Sequence, residues 1–235
     1  MSVKYLATIV AAMLAVSASA WADVVINTTR VVYKEAAKEV NVRLTNEGTR
    51  PLLVQSWLDD GRATESPENI DLPFMITPPV SRIDAKKGQT LRISKMAANF
   101  PKDRESIYYL NVLEVPPKAK GEAQASNKLQ LAFRTRIKMF YRPEALTVKP
   151  QDAAAKVEWR AENGALIAKN NSPYYVTFNM MKVGNNMAKS GMVAPFATEK
   201  FEFDNKAFKP SAGASLAYSY ISDYGNDVEG TAVIK

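Results

Sequence analysis

Lys128-Leu-Gln-Leu-Ala-Phe-Arg-Thr-Arg-Ile-Lys-Met-Phe-Tyr141 has the period of a β-strand. Leu129, Leu131, Phe133, Ile137 and Met139 recur at every second position, Lys128, Gln130, Arg134, Arg136 and Lys138 fill the places between, and only Thr135 interrupts the apolar set. Successive strand side chains point to opposite faces, so the stretch has one apolar and one basic face. Two readings fit this pattern. The strand lines the core of an antiparallel sheet, or part of its apolar face lies open along a cleft and is offered to another protein.

On the N-terminal side, short β-like runs alternate with turn residues: Val24 to Ile26, Thr29 to Tyr33, Glu39 to Thr45, Leu52 to Leu58, Phe74 to Thr77, Thr90 to Ser94 and Ser106 to Leu113. Asn46-Glu47-Gly48 has turn chemistry, Asp59 to Asp71 reads as a polar loop, and Pro78-Pro79 suits an edge or a bend. Runs of this kind at intervals of roughly 8 to 12 residues, with no amphipathic helix, predict an antiparallel sandwich. On the C-terminal side Arg142-Pro143-Glu144 breaks the strand and Pro150 to Ala155 changes the composition, which places a boundary between Pro143 and Pro150. Strands then resume at Val157 to Trp159, Ala165 to Lys169, Tyr174 to Val183, Met192 to Phe196, Lys200 to Phe203, Leu216 to Ile221 and Thr231 to Ile234. The expected fold class is all-β, with a first domain over 23–143 and a second over 144–235.

Residues 1–22 form a segment of a different kind. Lys4, an uncharged apolar run from Tyr5 to Val16 and the ending Ala20-Trp21-Ala22 make a secretory signal peptide, too short to span a membrane. Removing 1–22 from 235 residues leaves 213, room for one large or two small sandwich domains, and removing Lys4 leaves 30 Lys and Arg against 24 Asp and Glu, a balance of +6. In an exported chain this charge suits acidic protein surfaces or chain-terminal carboxylates rather than nucleic acid. No later stretch is apolar enough to insert in a membrane.

Cysteine and histidine are both absent. Their absence removes disulfides, thiol nucleophiles, histidine-based triads and zinc sites built on thiolate or imidazole. Asp59 with Asp60, or Asp103 with Glu105, would be the candidates for an acid and base pair in sugar hydrolysis, but no aromatic platform accompanies them and adjacent loop acids are usually solvated. Arg30, flanked by strand formers, has a guanidinium fork suited to two-point binding of a carboxylate, and Lys138 adds a second charge. Strict alternation puts Lys138 on the face opposite Leu131, so a ligand touching both is gripped at a corner between two surfaces.

The stretch Phe100 to Pro117, Phe-Pro-Lys-Asp-Arg-Glu-Ser-Ile-Tyr-Tyr-Leu-Asn-Val-Leu-Glu-Val-Pro-Pro, closely resembles the signature of the PapD-like periplasmic chaperones of the chaperone-usher pathway. Further matching stretches occur in order: Thr29-Arg30-Val31, Pro51 to Trp57, Thr77 to Arg82, Ile137 to Pro143, Asn171 to Tyr175 and Ile221 to Gly225. The resemblance implies two immunoglobulin-like β-sandwich domains in an L or boomerang arrangement with an interdomain cleft. It also implies a non-enzymatic protein of the Gram-negative periplasm, without cofactor or metal, whose partners are pilus subunits and an outer-membrane usher. By the same resemblance Leu129, Leu131 and Phe133 belong to a donor strand that completes a subunit lacking its last strand. Arg30 and Lys138 anchor the subunit's C-terminal carboxylate. Glu105, Arg142 and Asp223 form a charged network linking the domains, and Pro51 is a proline that helps block the usher-binding surface. The short loop from Lys118 to Asn127, with no cysteine, resembles the short-loop branch that builds rod-like pili. The apolar strand face also makes weak self-association of the free chain an expected property. A structural fibre subunit is the alternative, and it would be expected to hold one incomplete domain after an extended N-terminal donor segment.

Overall fold

The alternating stretch forms a strand from Phe133 to Arg142 in the computed structural model, which describes residues 23–115 and 131–235. Residues 1–22, Leu129 and the Lys118 to Asn127 loop lie outside the described residues. Nine strands make the first domain: β1 (Val24–Ile26), β2 (Arg30–Lys34), β3 (Glu39–Asn46), β4 (Leu52–Asp59), β5 (Phe74–Thr77), β6 (Val80–Ile83), β7 (Gly88–Lys95), β8 (Ser106–Val115) and β9 (Phe133–Arg142). One sheet runs β1-β3-β7-β5 and the other β2-β9-β8-β4-β6. Leu44, Leu91, Ile93, Leu110 and Met139, all fully buried, fill the space between them. Pro78-Pro79 marks the bend at which the chain leaves β7's side in β5 and joins β4 as β6. β6 carries Ser81 and Arg82 between Val80 and Ile83, so its sequence shows no apolar alternation that would mark it as a strand.

The second domain contains β10 (Val157–Glu162), β11 (Ala165–Asn170), β12 (Val176–Val183), β13 (Asn186–Ala188), β14 (Gly191–Val193), β15 (Thr198–Glu202), β16 (Ser215–Ile221) and β17 (Asp227–Val233). Its sheets run β10-β11-β15 and β13-β12-β16-β17, with β14 also on β12. Trp159 is the centre of this core, edge-on to Phe178 at 4.9 Å, and Phe178 meets Tyr218 at 5.4 Å. The only helical pieces among the described residues are single 3-10 turns at Pro67–Asn69, Pro150–Asp152 and Ala154–Lys156. The composition change after Pro150 therefore corresponds to two such turns that bury Ala153 and Ala154 against the second core. Phe196, expected at a strand end, instead adopts φ of 58°, an unusual backbone for a bulky residue, and stacks under Arg104 of the first domain at 5.1 Å.

Each half of β9 has its own surroundings. Met139 and Tyr141 are buried in the first core, whereas Phe133, on the same face, is 51% exposed, and Leu131, just ahead of the strand, is 55% exposed. β8 pairs along all of β9 down to Phe133, but β2 pairs with it, in parallel, only from Lys138 to Arg142. Among the described residues no strand pairs with the other side of Phe133 to Ile137. That edge leaves backbone donors and acceptors without ladder partners.

This division predicts two contrasting substitutions. Leu110→Ala, inside the core, should lose ~2 to 5 kcal/mol of unfolding free energy in urea titrations. Leu131→Ala should change it by no more than about 0.5 kcal/mol, as at an ordinary exposed position.

Candidate functional site

Parallel pairing of β2 with β9 sets Arg30 directly beside Lys138. Paired residues on adjacent parallel strands project to the same face, so two residues 108 positions apart in sequence become neighbours at the point where β2 begins. Arg30 is buried: Nη1 donates to the carbonyl of Ile221 at 2.9 Å, and its guanidinium lies 5.6 Å from the centre of the Phe140 ring. Its Nε is buried and has no hydrogen-bond partner among the described residues. Burial lowers the pKa of Arg30, although Asp223 and Glu105 pull it the other way. Burial lowers the pKa of Lys138 as well, and the charges of Arg30 and Arg136 add to the effect. Neither Arg30 nor Lys138 takes part in an ion pair among the described residues. Two cations side by side, neither neutralised by a carboxylate among the described residues, are poised for an anion, and a carboxylate suits the guanidinium fork.

The second domain shapes one wall of this site. A cavity of about 360 Å³ lies between the domains, lined by Arg30, Phe140 and Arg142 from one and by Tyr174, Tyr175 and Asp223 from the other. Lys138 is not among its lining residues. The Ile221 carbonyl that orients Arg30 went unrecognised in the sequence, since a backbone acceptor leaves no residue signal. Gly225, at φ of 86°, completes the contact, because a side chain there would collide with Thr29 Oγ1.

Glu105, Arg142 and Asp223 meet in one cluster. Arg142 Nε donates to Glu105 at 2.8 Å, while Nη1 and Nη2 donate to the two oxygens of Asp223 at 2.6 and 2.8 Å. The free oxygen of Glu105 accepts the Tyr175 N–H at 3.0 Å, and the Glu105 N–H donates to the Pro173 carbonyl at 2.9 Å. Burial raises the pKa of Glu105, and Arg142 offsets this only in part; Arg142 is itself pushed up, because the two carboxylates outweigh its own burial. Removing one member would strand a buried charge. Pro51 sits half-buried immediately before β4, away from this cluster in the topology.

The acidic pairs considered for hydrolysis are occupied. Asp59 is fully buried at the end of β4 and accepts from Arg136 at 2.8 and 2.5 Å, from Asn111 at 2.8 Å and from the Gly61 N–H at 2.7 Å. Burial works against its charge, but these donors prevail and bring its pKa down to about 2. Asp60 turns to Arg62 and Asp103 to Arg104, both on the surface. None of these carboxylates faces another across a cleft as an acid and a base would.

Two sandwich domains thus carry a cationic pair beside an open strand edge. Residues 23–147 match the N-terminal domain model described as a pili and flagellar-assembly chaperone of PapD type, and residues 152–232 match the C-terminal domain model of the PapD pili assembly chaperones. The chain belongs to this family. It is 46% identical over 233 residues to the probable fimbrial chaperone YadV of Escherichia coli K12, covering 93% of each chain. The crystal structure of YadV chaperone superposes with a TM-score of 0.78 at 42% identity, over 91% of this chain and 100% of that one. A Salmonella enterica SafA pilin in complex with the SafB chaperone matches with a TM-score of 0.78 at 25% identity, over 92% and 99% of the two chains.

The sign of the Asp59 shift sets a pH dependence. Its folded pKa of about 2 lies below the ordinary 3.8, so the stability it confers is complete above pH 3.8 and is lost as the pH falls through that window. Wild type should lose about 2 kcal/mol of unfolding free energy there through this group, a component missing from Asp59→Asn when melting is followed against pH.

Proposed function

We propose that the chain is a periplasmic chaperone that holds fibre subunits by lending them the open edge of β9. The observation that carries this reading is the lane beside Phe133 to Ile137, which is vacant among the described residues and ends where β2 begins at Arg30 and Lys138. A guest strand in that lane extends β2 and pairs with β9. If its C-terminal carboxylate is the group held at Arg30 and Lys138, it runs parallel to β9, as β2 does. Leu131 and Phe133 then project from the apolar face into the guest's exposed core, each contributing roughly 1.5 to 3 kcal/mol on full burial. One strand thus caps an aggregation-prone edge and covers the groove beside it. Leu129 extends the same apolar row. The grip is at a corner, with the carboxylate met from the basic face and the groove filled from the apolar face.

The same reading gives the other residues their roles. Glu105, Arg142 and Asp223 fix the angle between the domains and so hold Ile221 against Arg30. The first domain is taken as 23–143 and the second as 144–235, because Tyr141 packs on the first core while Leu146 and Val148 pack on the second. Residues 1–22 direct export, an outer-membrane usher receives the loaded subunit, and Pro51 helps keep the usher surface closed beforehand. The protein performs no chemical catalysis. Two matched chaperone domains disfavour the fibre-subunit alternative.

Tagged protein recovered from periplasm tests the proposal. Wild type should bring down a fimbrial subunit identifiable by mass spectrometry, while Leu131→Glu, Arg30→Ala and Lys138→Ala should each lower the yield by roughly tenfold or more, the loss of one buried side chain or charge-assisted contact. Equal recovery by all four would assign β9 to ordinary core and leave the cationic pair without a role.

A further inference from the structure

Lys138 is one of three cations in a row. Arg134, Arg136 and Lys138 alternate on the basic face of β9, each separated from the next by about 6.6 Å along the strand. A guest displaced by one residue turns its apolar side chains the wrong way, but a guest displaced by two keeps every side chain on its proper face. Alternation alone therefore leaves the register open in steps of two. In one direction the chain itself forbids a slip, because the lane is closed by β2 from Arg30 onward. In the other direction, toward Arg136 and Arg134, no strand of the described residues stands in the way.

Electrostatics closes that direction. Asp59, fully buried on β4, two strands over from β9 in the same sheet, takes Arg136 through two hydrogen bonds of 2.8 and 2.5 Å. The Arg136 guanidinium lies over Tyr109, its central carbon 3.6 Å from the ring centre. Arg134 is held by Asn111 Oδ1 at 2.9 and 2.6 Å and by the Ala63 carbonyl at 2.7 Å, with Asp59 at 3.8 Å. Asn111 is fixed in turn by its donation to Asp59. Lys138, by contrast, has Tyr109 as its neighbour on β8 and Arg30 on β2, and neither neutralises it.

We infer that Asp59 sets the register of the bound strand: by occupying Arg136, and through Asn111 restraining Arg134, it leaves Arg30 and Lys138 as the site on this row that a chain-terminal carboxylate can claim. The inference rests on the proposed carboxylate anchor and adds to it the reason that the anchor sits at one place. Asp59 is a positioning residue, since it touches the competing cation and not the guest.

A strand-forming peptide of alternating valine and threonine, with lysine at its N-terminal end, a free C-terminal carboxylate and a benzophenone side chain third from that end, serves as the probe. Crosslinks to the full chain are mapped by mass spectrometry, beside an otherwise identical peptide amidated at its C-terminus. Wild type is expected to bind the carboxylate peptide in preference to the amide and to crosslink at one position. Asp59→Asn is expected to retain that preference but to give a second crosslink displaced by two residues toward Arg136, in on the order of a fifth to a half of the complex, the ratio that a partly exposed ion pair sustains. Arg136→Lys keeps both charges but loses the two-point grip, and gives a smaller slipped fraction; it stands in should Asp59→Asn fail to fold. Adding Arg136→Gln to Asp59→Asn should restore one position. Carboxylate preference with a single register in both Asp59→Asn and Arg136→Lys, or in Arg136→Lys alone where Asp59→Asn does not fold, overturns the role of Asp59. Wild type that takes both peptides equally, or neither, overturns the anchor itself and this inference with it.

Discussion

Everything at the site depends on where β2 starts. Because β2 begins opposite Lys138 and not opposite Phe133, the first half of β9 has no strand partner on one side among the described residues. A sheet edge of this kind is ordinarily a liability that proteins shield with charge, proline or a covering loop. Here the edge is flanked by exposed apolar side chains on one face and by basic ones on the other, and it ends at a buried guanidinium that has no ion-pair partner among the described residues. The proposed strand donation turns that edge hazard into a place for another chain.

The second domain contributes both a wall of the cavity and the contacts that hold Arg30 in place. Its Ile221 carbonyl fixes Arg30, and its Asp223 closes the bidentate pair with Arg142, which in turn satisfies the buried Glu105. A buried charged cluster is a poor source of net stability, since desolvation consumes much of the Coulombic gain. Its geometry is restrictive, because the three side chains accept few arrangements in which all donors and acceptors are met. In the proposed reading, that restriction keeps the Arg30 fork aimed at the end of the lane.

Much of this was legible in the sequence where the signal is local. The period of two in Leu131, Phe133, Ile137 and Met139 gave the strand and its faces, and the positions of Arg30 and Lys138 followed from a resemblance that their side-chain chemistry supports. The sequence pattern did not reveal that one apolar face serves two purposes, core at Met139 and Tyr141 but surface at Leu131 and Phe133, because only tertiary structure decides where a sandwich ends. Asp59 was read as a solvated loop acid beside Asp60. Its partners Arg136 and Asn111 lie 77 and 52 residues away in the chain, and no local pattern reports such a contact. The same distance problem hid β6 as a partner of β4 and the backbone carbonyl of Ile221.

Amide hydrogen exchange along β9 tests the central claim most directly, comparing the free chain with its complex with a fimbrial subunit. Lending the edge requires that amides of Phe133 to Ile137 which face the vacant lane exchange readily in the free chain and become strongly protected in the complex, while the Lys138 to Arg142 segment, already paired with β2, changes little. Equal exchange of the Phe133 to Ile137 amides in both states, with the subunit demonstrably bound, would contradict strand donation and place the subunit on another surface.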